Sequence, residues 1–238
     1  MNQLESILGD WFPLYEQTIR ECSEDFAKLK HVLKIHRQAH KVYPEPADVF
    51  NAFSKCQLKD TKVVIIGQDP YHNGAATGLA FGVKPGFPIN PSLRIIYKEV
   101  CQSHDLEEIP DFDFTLDSWA KQGVLLLNTS LTVIKGHPNT HEPYWNFFTR
   151  YMIELLACDS NKDGLVFMLW GSYAQKHFEP LAKGALICGK DHKIIKAAHP
   201  AAEVYGNMKA GFLGSNCFIK CNNFLDQFTT PINFTGLS

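Results

Sequence analysis

A run of four β-branched residues, Val63-Val64-Ile65-Ile66, followed at once by Gly67-Gln68-Asp69-Pro70-Tyr71-His72, constrains this chain more than any other stretch. Four consecutive apolar residues are too few for a buried helix and do not alternate. They therefore predict a strand covered on both faces, as a parallel sheet requires. Pro70 fixes its own φ and biases Asp69 away from helical geometry, which holds the acid on a stiff segment beyond the strand. Three further segments read as strands: Val124–Asn128, Leu165–Trp170 and Lys193–Ala197. Between and before them apolar residues recur at helical spacing. This pattern covers residues 1–40 (Leu4, Ile7 and Leu8, then Phe26, Leu29, Val32, Leu33 and His36), about Ala47 to Phe53, and Leu93 to Val100 with Ser92 as N-cap. It recurs from Leu116 to Gln122 and from Trp145 to Ala157. Strands alternating with helices predict an α/β fold with a central four-stranded parallel sheet flanked by helices. Such sheets bind ligands beyond the carboxyl ends of their strands. There the chain carries Asp69, Asn128, Ser172 and His199, so one sheet edge is expected to collect all four.

Of the 238 residues 45% are apolar and 20% charged, an ordinary globular composition. The length fits a single domain over 1–238, with residues 1–40 as a helical segment packed on it. No stretch approaches the roughly 18 apolar residues of a membrane span, and the first residues lack a basic region followed by an apolar core. A soluble, cytoplasmic protein without membrane contact is expected. Seven cysteines, odd in number and dispersed without a C-x-x-C pair, read as reduced thiols and not as a disulfide frame. Cys217 and Cys221 form one close pair and His137 and His141 another, each without an evident third ligand, so no metal and no cofactor is expected. The formal charge of −2 argues mildly against nucleic acid. Yet Lys183 to Lys220 carries six lysines against Asp191 and Glu203, which leaves room for a local basic face.

The strings Gly67 to His72, Gly78-Leu79-Ala80-Phe81, Gly123 to Asn128 and Leu169 to Ser172 resemble the motifs of family 1 uracil-DNA glycosylases. The resemblance runs from about Tyr43 to Leu225. It implies a DNA repair hydrolase that flips uracil out of DNA, hydrolyses its N-glycosidic bond and leaves an abasic site. It also implies the roles of single residues. Asp69, as a base toward water or as a fixed charge near the sugar, and His199, as a neutral donor to uracil O2, are the catalytic pair. Gln68, Tyr71, Phe81 and Asn128 bind uracil: Asn128 reads O4 and N3–H, Phe81 stacks on the base, and the Tyr71 ring fills the space of a thymine methyl. His72, Ser92 and Ser172 contact the DNA backbone. The implied partners are uracil-containing single- and double-stranded DNA and a protein inhibitor of the glycosylase, the enzyme itself being a monomer. Such residue types suit the reaction. An N-glycosidic bond breaks through an oxocarbenium-like sugar and an anionic base, so the site needs negative charge near the one and donors near the other.

Three departures from the family pattern stand out. Asn73 to Thr77 is shorter than the usual connection, and Gly82 stands where a serine is usual. The family's His-Pro-Ser-Pro-Leu-Ser becomes His199-Pro200-Ala201-Ala202-Glu203-Val204, with extra residues before Gly211-Phe212. The leucine that wedges into the duplex is thus missing, and in direct register its place falls to Glu203. Tyr205, then Met208, then Val204 are the apolar candidates to replace it, against a competing reading in which Tyr205 packs under the loop. Two other functional readings compete with catalysis. One is a glycosylase-like module that holds DNA or a partner without cutting; the other is a flavodoxin-like nucleotide binder, which lacks a Gly-rich phosphate loop here.

Overall fold

The computed structural model describes residues 3–159, 161, 164–184, 188–205 and 211–237. Along the chain run α1 (Gln3–Leu8), α2 (Phe12–Glu21), α3 (Ser23–Ala39), β1 (Val42–Tyr43), α4 (Asn51–Lys55), β2 (Val63–Gly67), α5 (Pro91–Ser103) and α6 (Asp117–Ala120). They are followed by β3 (Val124–Asn128), β4 (Val133–Ile134), α7 (Glu142–Ala157), β5 (Val166–Trp170), α8 (Gly171–Gly184), β6 (Lys193–Ala197), α9 (Pro200–Tyr205) and α10 (Cys217–Leu225).

Four strands form a parallel sheet in the order β3-β2-β5-β6, as the apolar runs predict. Every residue of β2, β3 and β5 is buried, which is why these strands are apolar on both faces. Lys193-Ile194-Ile195-Lys196-Ala197 alternates instead, because β6 lies at the edge: Ile195 and Ala197 are buried while both lysines face solvent. Register decides what shares the functional edge. Gly67 lies opposite Asn128, and Trp170 opposite Ala197, so the segments that follow all leave the sheet on one side. Beneath them the core is filled by Trp119, Trp170, Phe167, Phe178 and Phe218, and each buried aromatic or aliphatic side chain contributes roughly 1.5–3 kcal/mol.

Several local expectations change in the structure. Asn90, not Ser92, caps α5: its side chain accepts from the Ser92 N–H at 3.2 Å, and Pro91 already occupies the first turn, where a missing N–H costs nothing. The helix expected over Leu116–Gln122 shrinks to α6, because Leu116 sits at φ +62 and cannot continue a right-handed helix. The Ala47–Phe53 segment divides into a 3₁₀ turn at Pro46–Asp48 and α4. Strands β1 and β4 pair antiparallel, a two-residue ribbon too short to leave a periodic signal. Cys158 and Cys188 form a disulfide, contrary to the expectation of reduced thiols; it joins the end of α7 to the segment before β6, a proximity that spacing does not reveal. Cys217 and Cys221 are free and buried in α10, and burial pushes the Cys217 thiol up to about 12.

The N-terminal helices are tied to the body by polar bonds. Trp11 Nε1 donates to Cys56 O at 2.7 Å, and Asp10 accepts from the Leu58 and Lys59 N–H groups at 2.7 and 3.0 Å. Helices α2 and α3 pack on α7. Among the described residues no helix is long and apolar enough to cross a membrane.

Candidate active site

At the carboxyl edge of the sheet lies a cavity of about 240 Å³. It brings together eight of the residues singled out in the sequence. Gln68, Asp69, Tyr71 and His72 come from the loop after β2, and Asn128 from the end of β3. Phe81, Ser92 and His199 complete the set. Ser172 is not among the lining residues; it is exposed on the first turn of α8.

Glycines let the strand ends converge. A Cβ on Gly67 would overlap Asn128 Oδ1 and lie 2.9 Å from Ala80 Cβ, so the bare backbone makes room for the buried Asn128 amide. Gly171 adopts φ +86, and a Cβ there would come within 2.8 Å of His199 Cβ. Glycine therefore permits both the sharp turn into α8 and the seating of the imidazole.

Asp69 is held by one oxygen. Its Oδ2 accepts the backbone N–H of Asn139, while Oδ1 is buried and finds no hydrogen-bond partner among the described residues. Burial raises the carboxyl above its ordinary range, the charge of Glu142 adds to this, and the Asn139 N–H works against it. Glu142 itself accepts from the Tyr173 hydroxyl at 2.9 Å. His199 is set in one tautomer: its Nδ1 accepts the Ala201 N–H at 3.1 Å, so the proton of the neutral ring resides on Nε2. Burial pushes its pKa below the usual histidine value, which keeps the ring neutral.

The aromatic part of the cavity is equally constrained. Phe81 holds φ +67, a conformation a bulky side chain rarely accepts, and its carbonyl receives the Tyr71 hydroxyl at 3.1 Å. That bond fixes the two rings relative to each other. The Phe81 ring centroid stands 5.4 Å from that of Trp170 and 6.1 Å from that of His199. Burial also raises the Tyr71 phenol, so it remains a donor.

Sequence reasoning passed over Asn139. Besides its N–H to Asp69, its side-chain oxygen accepts from Gln68 Nε2 at 2.9 Å, and it sits at φ +62. Asparagine tolerates the left-handed region, so its place in a His-Pro-Asn-Thr-His loop was the available signal. His141 of that loop is a buried anchor. It bonds His36 at 2.9 Å and Thr132 at 2.8 Å, and burial, with His36 beside it, lowers its pKa to about 4. Among the described residues no group of three His, Cys, Asp or Glu side chains stands together in a way that could hold a metal ion.

The loop after His199 departs from expectation. Residues Pro200–Tyr205 are helical, and Glu203, which direct register put in the wedge position, is 1% exposed and turned inward. Tyr205 is 87% exposed and Val204 41%, so Tyr205 does not pack under the loop. Met208 lies outside the described residues. In the lysine-rich tract, Lys183 and Lys196 both pair with Glu179 at 2.7 Å.

A parallel α/β sheet thus brings a partly buried carboxylate, an imidazole with one occupied nitrogen and a buried amide together in one small cavity at its carboxyl edge. Residues 53–226 match the family model of the uracil DNA glycosylase superfamily. The uracil-DNA glycosylase of Photorhabdus laumondii is 44% identical over 214 residues, covering 87% of this chain and 88% of that one. That of Escherichia coli is 45% identical over 196 residues, covering 81% and 80%. Among solved structures, mimivirus uracil-DNA glycosylase aligns with a TM-score of 0.84 at 25% identity, covering 98% of this chain and 89% of that one. A variant of the mimivirus protein in complex with UGI gives the same TM-score. The chain belongs to the uracil DNA glycosylase superfamily.

Proposed function

We propose that the cavity receives a uracil extruded from DNA and that the chain hydrolyses its N-glycosidic bond. The observation that carries this is the pairing, in one cavity, of the unpartnered Asp69 Oδ1 with a His199 whose Nδ1 is already occupied by the Ala201 N–H. As the bond from C1′ to N1 of the base breaks, its electron pair moves onto the uracil ring, and negative charge grows on O2. His199 Nε2–H donates there without giving up its proton, a fixed donor at the place where charge develops. Water adds to the oxocarbenium-like C1′ and releases its proton toward Asp69, whose charge also stabilises the cationic sugar. Asp69 returns that proton to solvent, from which the uracil anion takes one up, and the products are free uracil and an abasic site.

Selectivity is assigned to Asn128, which donates to O4 and accepts from N3–H; cytosine presents the reversed pattern and leaves buried groups unpaired. Sites that read by hydrogen bonds discriminate by roughly 10⁴ to 10⁵. Tyr71, pinned to the Phe81 carbonyl, bars the thymine methyl, and Phe81 stacks on the base, worth about 1–3 kcal/mol. Extrusion from a duplex costs a few kcal/mol, which backbone contacts at Ser92, Ser172 and His72 help to offset. Exposed Tyr205, at the end of α9, fills the vacated stack.

The same reading treats residues 1–238 as one domain acting as a monomer on single- and double-stranded DNA in the cytoplasm. The polar ties of the N-terminal helices support the single domain. The UGI complex of the mimivirus protein makes a protein inhibitor of this kind a partner to test. Uracil release from a labelled oligonucleotide tests the whole: free base and an alkali-labile strand are expected, and an intact strand at enzyme excess rejects the proposal.

A further inference from the structure

Two carboxylates outside the cavity are fully buried, and both are spent on one short stretch of backbone. Glu203, on α9, accepts through Oε1 from the Phe212 and Leu213 N–H groups at 2.6 and 3.0 Å. Glu99, on α5, accepts through Oε2 from the Gly214 N–H at 2.6 Å and through Oε1 from the Asn216 N–H at 2.8 Å. The Ser103 and Ser215 hydroxyls donate to Glu99 Oε1 as well, at 3.2 and 3.1 Å. Both glutamates are at most 1% exposed. A buried carboxylate is tolerated only where donors surround it, so the path of residues 212–216 and the placement of α5 and α9 are mutually dependent.

We infer that Glu203 is a positioning residue for strand opening, acting through Tyr205. Successive residues of a helix are turned by about 100°, so Glu203 and Tyr205 point to nearly opposite sides of α9. Seating the Glu203 carboxylate against the Phe212 and Leu213 amides therefore presents Tyr205 to solvent, where it is 87% exposed. The same two bonds join residue 203 to residue 212, and so fix the separation that the intervening chain must bridge. His199 sits two residues beyond β6, fits against Gly171 and accepts the Ala201 N–H in the first turn of α9, so a clasp loosened at the far end of that helix acts first on Tyr205. A glutamate where the wedge itself would be expected thus serves as the fastening that lets its neighbour do that work. This inference rests on the proposed uracil excision and on Tyr205 as the group that enters the stack.

The test compares Glu203→Leu, which removes the acceptor, with Glu203→Gln, whose amide oxygen still accepts from both N–H groups. Single-turnover uracil release is measured on matched single-stranded and duplex oligonucleotides, and amide exchange at residues 212 and 213 is followed without DNA. For Glu203→Leu we expect the duplex rate to fall about tenfold or more relative to the single-strand rate, with faster exchange at both amides. For Glu203→Gln the ratio returns to within about threefold of the unaltered chain, because the amide oxygen still accepts from both N–H groups. Adding Tyr205→Ala to Glu203→Leu produces little further loss on duplex, since both act through one ring. Equal slowing on both substrates, an unchanged ratio, or additive losses in the double variant each overturn the inference. If Glu203→Leu does not fold, Glu203→Asp, shorter by one methylene, enters the same comparison under the same criteria. Failure of the functional reading is distinguishable: the unaltered chain would then release no uracil from either substrate, while amide exchange would still report the clasp.

Discussion

The backbone N–H of Asn139 donates to Asp69 Oδ2, while Oδ1 of the same carboxylate is buried with no hydrogen-bond partner among the described residues. One oxygen is held by the loop and the other is not. Because the aiming donor comes from a loop after β4 and the acid from a loop after β2, neither segment forms the site alone.

Replacing Asp69 by Asn should preserve the bond to Asn139 and remove the charge. Uracil release is expected to fall by about 10²–10⁴-fold with little change in binding of uracil-containing DNA, as the charge acts on the transition state. Single-turnover rates together with fluorescence-anisotropy titrations decide this; near wild-type turnover would refute the role. Stability should move the other way. A carboxyl whose folded pKa is raised favours folding while protonated and loses that contribution as pH rises through the raised value. Asp69→Asn is therefore expected to melt at the same temperature as the parent at low pH and higher at neutral pH.

The pH profile should have its descending limb on the acid side. Asp69 must be ionised and titrates above the ordinary carboxylate range, whereas His199 must be neutral and titrates below the ordinary histidine range. Activity is thus expected to be flat through neutrality and to decline on the acid side, above the ordinary carboxylate value of about 4 where Asp69 governs it and below the ordinary histidine value of about 6.5 where His199 does. Stability should fall over the same interval, because His141 is neutral in the fold down to about 4 while an unfolded histidine charges near 6.5. A kcat/KM profile with an acid limb above pH 7 would contradict the neutral-imidazole assignment.

Tyr71→Ala removes the ring that bars a methyl group and frees the Phe81 carbonyl. Slow thymine release is expected, with the preference for uracil over thymine reduced by about 10–200-fold, the range that one methyl governs in a pocket. Product analysis on paired uracil and thymine substrates measures it. Complete absence of thymine release, with uracil activity intact, would remove Tyr71 from this role.

Tyr205→Ala should leave the fold unchanged, within about 0.5 kcal/mol, because the side chain is 87% exposed. Excision from duplex is expected to slow by about tenfold and excision from single strands by less than about twofold, on the scale of one lost stacking contact. Equal rates on both substrates would direct the search to Met208 and Val204.

Local pattern settled much of this molecule. Apolar runs such as Val63–Ile66 and Val124–Leu127 were sufficient for a parallel sheet, since only a doubly covered strand is apolar on both faces. The polar residues at the strand ends placed Asp69, Asn128, Ser172 and His199 at one sheet edge; the first, second and fourth line the cavity, and Ser172 does not. What remained illegible depends on distances between segments remote in sequence. No spacing rule marks Asn139 as the donor to Asp69, Asn90 rather than Ser92 as the cap of α5, or Cys158 and Cys188 as a disulfide, because each follows from where loops meet. Glu203 states the difference most clearly. In direct register with the family pattern it falls at the wedge position, and only the packing of α9 against residues 212 and 213 turns it inward and Tyr205 outward. A carboxylate goes wherever the fold supplies enough donors, and donors supplied by backbone amides carry no signature in the side-chain sequence.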